Sequence, residues 1–180
     1  MKVFKVNELF EMSQTYEYKP VSEKRSGFKN MTTYVYNFVS DDGTEYMVDI
    51  VLYSKTVLNV KTNKLKTKVF ATTCFANKEN YNRGKRFKWK YKLTNKHDAI
   101  KVLNTVIKII KDFSDSHNMD EFGINTSKDR LETYKYIFNK YFKGWKVFVS
   151  IDDSYYLDTR FNIICSKETK EDNPDNFRVD

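Results

Sequence analysis

Ile100, Leu103, Val106, Ile107, Ile110 and Phe113 recur at three- and four-residue spacings, the period that gathers side chains on one face of an α-helix. Ahead of them, Asn95-Lys96-His97-Asp98 has the form of a capping box, with Asn95 as the cap and Asp98 three residues on. This helix is expected to end near His117 and Asn118. A second stripe, Leu131, Tyr134, Ile137, Phe138 and Tyr141, predicts a helix opening at Thr126-Ser127-Lys128-Asp129. Gly144, free to take a left-handed backbone, should stop it.

Elsewhere the period is two or the run is short and β-branched. Residues 4–10 suit a short strand or a helical turn. Residues 16–21 read as extended, with Pro20 fitting an edge or a strand start, and 22–30 read as a polar loop. Residues 32–40 and 45–53 are rich in Tyr, Val, Ile and Phe, and Asp41-Asp42-Gly43-Thr44 between them is hairpin turn chemistry. Residues 57–61 and 65–75 predict a further hairpin around Asn63 and Lys64, followed by a loop over 76–84. From Arg86 to Lys92 the alternation is strict: Phe87, Trp89 and Tyr91 on one face, Arg86, Lys88, Lys90 and Lys92 on the other. Strands are also expected over 121–125, 146–151 and 160–166, the last two joined through Asp152-Asp153-Ser154.

The predicted order gives an α+β fold: a mixed, largely antiparallel sheet, with a meander followed by β-α-β-α-β-β and two helices packed on it. A strand between two helices requires a crossover, so part of the sheet should be parallel. No internal repeat or low-complexity linker divides the chain. Residues 1–166 form one expected domain, and 167–180 an acidic tail expected to be flexible.

Composition narrows the chemistry. The 180 residues hold 29 aromatics, five Gly, two His and two Cys, which excludes a disulfide scaffold and a four-cysteine zinc site. No apolar run is long enough to span a bilayer, and residues 1–6 lack the apolar stretch of a signal peptide. The net charge of +8 is unevenly placed. Residues 55–111 carry 16 Lys/Arg against Glu79 and Asp98, a local +14, while the other 123 carry 16 bases and 22 acids, or −6. Such a dipolar distribution draws polyanions or acidic partners to one region. The plainer alternative is that lysine-rich strands are solvated edges protected from aggregation.

The binding candidates are therefore Lys61, Lys64, Lys66 and Lys68 on the hairpin, and Arg83, Lys85, Arg86, Lys88, Lys90 and Lys92 after it. The lysines and arginines would neutralise phosphates, and an exposed aromatic could stack on a base. Against this, Phe87, Trp89 and Tyr91 serve equally as the core face of a strand. His97 near a helix start could meet a phosphate, or be a surface side chain. His117 is suited to a helix C-terminus by the dipole alone. Asp152, Asp153 and Asp158 lack calcium-loop spacing and read as a turn, so no metal is expected. Cys74 and Cys165 read as small apolar fillers.

The element order resembles the GNAT acetyltransferase fold over residues 32–166. The resemblance implies that Thr94, Asn95 and Lys96, in the loop before the long helix, would meet the diphosphate of acetyl-CoA. It also implies that Tyr134, in Arg130-Leu131-Glu132-Thr133-Tyr134, stands where the family often has a general-acid tyrosine. No glycine lies between Tyr91 and Ala99, where the family has a Gly-rich phosphate loop, so the expectation is a GNAT-like shell without catalysis and without a cofactor. Val102-Leu103-Asn104-Thr105-Val106-Ile107 and the same Arg130–Tyr134 piece are also similar to small accessory proteins of tailed phages.

The leading expectation is thus a non-enzymatic phage-type accessory protein. It would bind nucleic acid, a nucleoprotein or an acidic host protein through a basic surface, for example as an inhibitor of a host or defence system. It would work in the cytoplasm of a bacterial host or in the virion. The alternatives are a divergent acyl-CoA-dependent acetyltransferase, which would take acetyl-CoA, and a structural virion protein.

Overall fold

A computed structural model describes residues 14–25, 30–59, 62–79, 96–126, 130–152, 160–167 and 177–178. The strands are β1 (Tyr18–Arg25), β2 (Met31–Val39), β3 (Glu45–Asn59), β4 (Lys64–Asn77), β5 (Glu121–Thr126), β6 (Trp145–Asp152), β7 (Arg160–Lys167) and β8 (Phe177–Arg178); the helices are α1 (Lys96–His117) and α2 (Leu131–Tyr141). The order across the sheet is β1-β2-β3-β4-β5-β7-β6, with β8 pairing β3 off this path. β4 and β5 run parallel, joined by the α1 crossover, and the other pairings are antiparallel. The α+β architecture read from the pattern is the one the chain adopts: a β1–β4 meander, then β-α-β-α-β-β with two helices.

The turns form where the sequence supplies the backbone freedom. Gly43 has φ +81° between β2 and β3, and the Asp42 carboxylate accepts from Ser40 Oγ at 2.6 Å and from the Thr44 N–H at 3.0 Å. At the β3–β4 tip Asn63 takes φ +52°, and the Asn59 side chain accepts from the Thr62 N–H at 3.0 Å. Asn tolerates this region because its short side chain bonds locally.

Boundaries depart from expectation in three places, each for a long-range reason. Residues 45–53 and 57–61 were expected as two strands, but β3 is continuous from Glu45 to Asn59. Ser54, Lys55 and Thr56 pair with Val69, Lys68 and Thr67 of β4, and a polar stretch without Gly or Pro has no cause to break there. β1 runs to Arg25, absorbing the start of the expected loop, with its irregularity between Pro20 and Ser22. α2 begins at Leu131 rather than near Thr126, because Thr126 is the last residue of β5, paired with Phe161. The predicted strand over 86–92 and the cap residue Asn95 lie outside the described residues.

Both helices pack on one face of the sheet. Val106, Ile107, Ile110 and Phe113 of α1 and Ile137 and Phe138 of α2 meet Val48, Ile50, Phe122 and Ile163 in a single core cluster. Each such side chain, fully withdrawn from water, contributes about 1.5–3 kcal/mol. The start of α1 is pinned from afar: the Tyr16 N–H donates to Thr105 Oγ1 at 2.8 Å, and the Tyr16 hydroxyl donates to the Asp98 carboxylate. Asn118, at φ +47°, follows the last residue of α1, a left-handed exit of the usual kind.

Candidate polyanion-binding arm

β3 leaves β2 after the Met31–Tyr53 pair, and β4 meets β5 only from Phe70 to Thr73. Among the described residues, 54–59 and 64–69 therefore pair with each other beyond the pairings with β2 and β5, with β8 joining at Leu58 and Asn59. Val57 and Asn59, across from Lys66 and Lys64, are only 2 % and 7 % exposed, so this face is partly covered. The result is a two-stranded arm about 20 Å long at strand rise. Over residues 54–69 the sequence has five lysines and no acid.

Strand alternation sets Lys64, Lys66 and Lys68 on one face of the arm, with Lys55 directly across from Lys68. Lys55, Lys64 and Lys66 are exposed. The Lys55 ammonium stands 5.5 Å from the centre of the Tyr53 ring, which stacks on Phe70 at 5.6 Å at the arm's base. On the opposite face Leu65 is 72 % exposed near the tip, a large apolar side chain offered to solvent.

Lys68 stands apart from the other three. It is only 6 % exposed, and its charge acts on Glu121, the first residue of β5. Burial raises the Glu121 carboxyl above its ordinary value; Lys68 opposes the rise, Asp120 adds to it and Lys55 opposes it. Lys68 is thus a buried counter-charge to Glu121. Lys55, which site reasoning from the sequence had not named, joins the exposed group once the register is known. Its signal was the charge run itself, read against the hairpin expected around Asn63 and Lys64.

The remaining candidates divide plainly. Lys61, Arg83, Lys85, Arg86, Lys88, Lys90, Lys92, Thr94 and Asn95 lie outside the described residues, and Lys96 opens α1. Tyr134 is 5 % exposed and packs in the helix-side core, its ring 6.3 Å from that of Phe138. His117 closes α1 with its ring stacked on Phe113 at 3.8 Å, and its Nδ1 lies 2.8 Å from Ser116 Oγ and 3.0 Å from the Phe113 carbonyl. Cys74 and Cys165 are both free thiols, and burial pushes the Cys165 thiol well up. Among the described residues no group of three His, Cys, Asp or Glu could hold a metal ion, and no helix is long and apolar enough to cross a membrane.

One further feature lies at the other end of β4. Its pairing with β5 stops at Thr73–Ile124, yet β4 continues to Asn77 and β5 to Thr126. The two strands therefore part. Thr73, 2 % exposed, has its hydroxyl oxygen buried at this point without a hydrogen-bond partner among the described residues.

No protein-family model, curated protein or solved structure matches this chain.

Proposed function

We propose that this chain is a non-enzymatic accessory protein of phage type that binds nucleic acid through the β3–β4 arm. The observation that carries the reading is the charge of the β3–β4 hairpin: three exposed lysines, Lys55, Lys64 and Lys66, in a stretch whose sequence contains no acid. A hairpin edged with lysines can lie along a phosphate backbone, and every ammonium that meets a phosphate releases a condensed counterion. Lys61 lies in the same acid-free run, and residues 83–92 add six further cations next along the chain.

The test is affinity for a 20-base-pair duplex measured by fluorescence anisotropy from 50 to 300 mM salt. For three phosphates neutralised, log K should fall against log salt with a slope near −3. Binding indifferent to salt overturns the reading. Binding of an acidic protein in place of nucleic acid would move the partner to the protein class.

A second reading rests on the element order. A β1–β4 meander followed by α1, β5, α2 and two last strands resembles the GNAT acetyltransferase fold, and under that reading Thr94, Asn95 and Lys96 would meet the diphosphate of acetyl-CoA and Tyr134 would supply a proton. Calorimetry with acetyl-CoA separates the two: heat of binding at micromolar ligand supports the acyltransferase, and none removes it.

A further inference from the structure

At the end of the sheet where the arm begins, the last turns of α1 and α2 flank an open cleft of about 590 Å³. Tyr141 and Trp145 line it together with Lys111, Lys140, Lys143 and one acid, Asp115. Asp115 is committed to Lys111 at 2.9 Å. Lys140 stands 5.4 Å from the centre of the Tyr141 ring, and Lys167 stands 5.4 Å from that of Trp145.

Lysines near a helix C-terminus need no ligand to explain them, since the terminal carbonyls attract cations. The rings pack on the core from one side, Trp145 at 5.5 Å from Phe122 and 5.7 Å from Phe142. Phe138 and Phe142, one turn apart, are 0 % and 4 % exposed, whereas Tyr141 and Trp145 are only half-buried and keep aromatic surface toward the cleft. Aromatic surface beside ammoniums matches a ligand that carries both a flat base and a phosphate. An acidic peptide would satisfy the ammoniums and leave the rings unused.

We infer that this cleft takes an unpaired nucleotide of single-stranded nucleic acid, its base stacked on Trp145 or Tyr141 and its phosphate on Lys140 and Lys143. The inference rests on the nucleic-acid reading of the arm and adds a second contact to it. A chain of backbone bonds sets the two at one end of the sheet. Asp120 donates its N–H to the Val69 carbonyl at the arm's base and accepts the Lys167 N–H, each at 2.9 Å, and Lys167 pairs with Trp145. Three strand spacings separate β4 from β6, about 14 Å or roughly four phosphates at duplex spacing. The arm's exposed lysines lie on the sheet face away from the helices and the cleft on the helix side, so a strand that engages both must round this end of the sheet. The cleft volume is within the range of small-ligand sites.

Trp145 reports directly. In Trp89→Phe it is the single indole, and its emission is followed during titration with a ten-residue oligo(dT), a duplex of equal length and a poly-Glu peptide, with anisotropy of labelled DNA in parallel. Oligo(dT) should at least halve the emission. Lys140→Glu with Lys143→Glu should weaken oligo(dT) about tenfold, the loss of one stacked and paired nucleotide, and change duplex affinity less than twofold. If Trp89→Phe unfolds the chain, quenching in the native sequence and its loss in the double lysine variant give the same answer. Oligo(dT) that binds by anisotropy but leaves Trp145 emission unchanged overturns the cleft and leaves the arm standing. Poly-Glu that quenches Trp145 and displaces oligo(dT) also overturns it, in favour of an acidic peptide. Failure of the arm reading shows separately, as duplex binding that Lys64→Glu with Lys66→Glu does not weaken.

Discussion

Val69 and Asp120 hold each other through two hydrogen bonds: the Asp120 N–H donates to the Val69 carbonyl at 2.9 Å, and the Val69 N–H donates to the Asp120 carboxylate at 2.8 Å. Val69 is the last arm residue before β4 joins β5, and Asp120 is the last residue before β5. The pair fastens the arm's base to the exit of α1. Asp120→Ala strands the Val69 donor and should cost about 1–3 kcal/mol, read as a lower urea midpoint at unchanged m-value. Asp120→Asn keeps an acceptor in place and should lose less. Equal losses in the two variants would deny the carboxylate bond its role.

Lys64 and Lys66 are exposed on the arm. Reversing both to Glu should reduce the salt slope of duplex binding by about two and leave stability within about 0.5 kcal/mol. An unchanged slope would remove the arm from the interface, and a large stability loss would show that these lysines hold the fold instead.

Glu121 should titrate above its ordinary value of 4.5, because burial disfavours the carboxylate more than Lys68 favours it. A raised folded-state value means the native state keeps a proton that the unfolded chain has already released. Its contribution to stability is therefore present in acid and is lost as pH rises from about 4.5 through the folded-state value. Glu121→Gln should flatten that part of the stability profile. Lys68→Gln should move the Glu121 midpoint, followed by carboxyl NMR, further upward. A midpoint at or below 4.5 in the native protein contradicts the arrangement.

Cys165 is 0 % exposed, and burial holds its thiol far from ionisation, with Glu121 adding to the effect. Its reaction with a thiol reagent should follow global unfolding: negligible in buffer, complete in denaturant. Modification of Cys165 at the rate of an exposed thiol would show that the β5–β7 region opens locally.

Much of the secondary structure was legible because it is written in short-range periods. The stripe from Ile100 to Phe113 needs only 3.6-residue spacing to be seen as a helix. Asp42 and Gly43 mark their turn by backbone preference alone. Thr126 and Ser54 misled for one reason: both are polar, and their strand membership comes from partners at Phe161 and Val69 rather than from their neighbours in sequence. Half-buried rings such as Trp145 carry no local mark distinguishing them from core.

The sequence by itself determined the element types, the α+β class, the parallel crossover and the concentration of positive charge between residues 55 and 111. Periodicity, turn residues and charge are properties of neighbours along the chain. Only the tertiary structure decided where β3 leaves β2, which makes residues 54–69 an arm, and which lysines it presents. Lys66 and Lys68 are two residues apart in one lysine run, yet one is exposed and the other is buried with its charge acting on Glu121. Lys68 is next but one to Phe70, where β4 begins its pairing with Glu121 of β5, some fifty positions on, and no local pattern encodes that proximity.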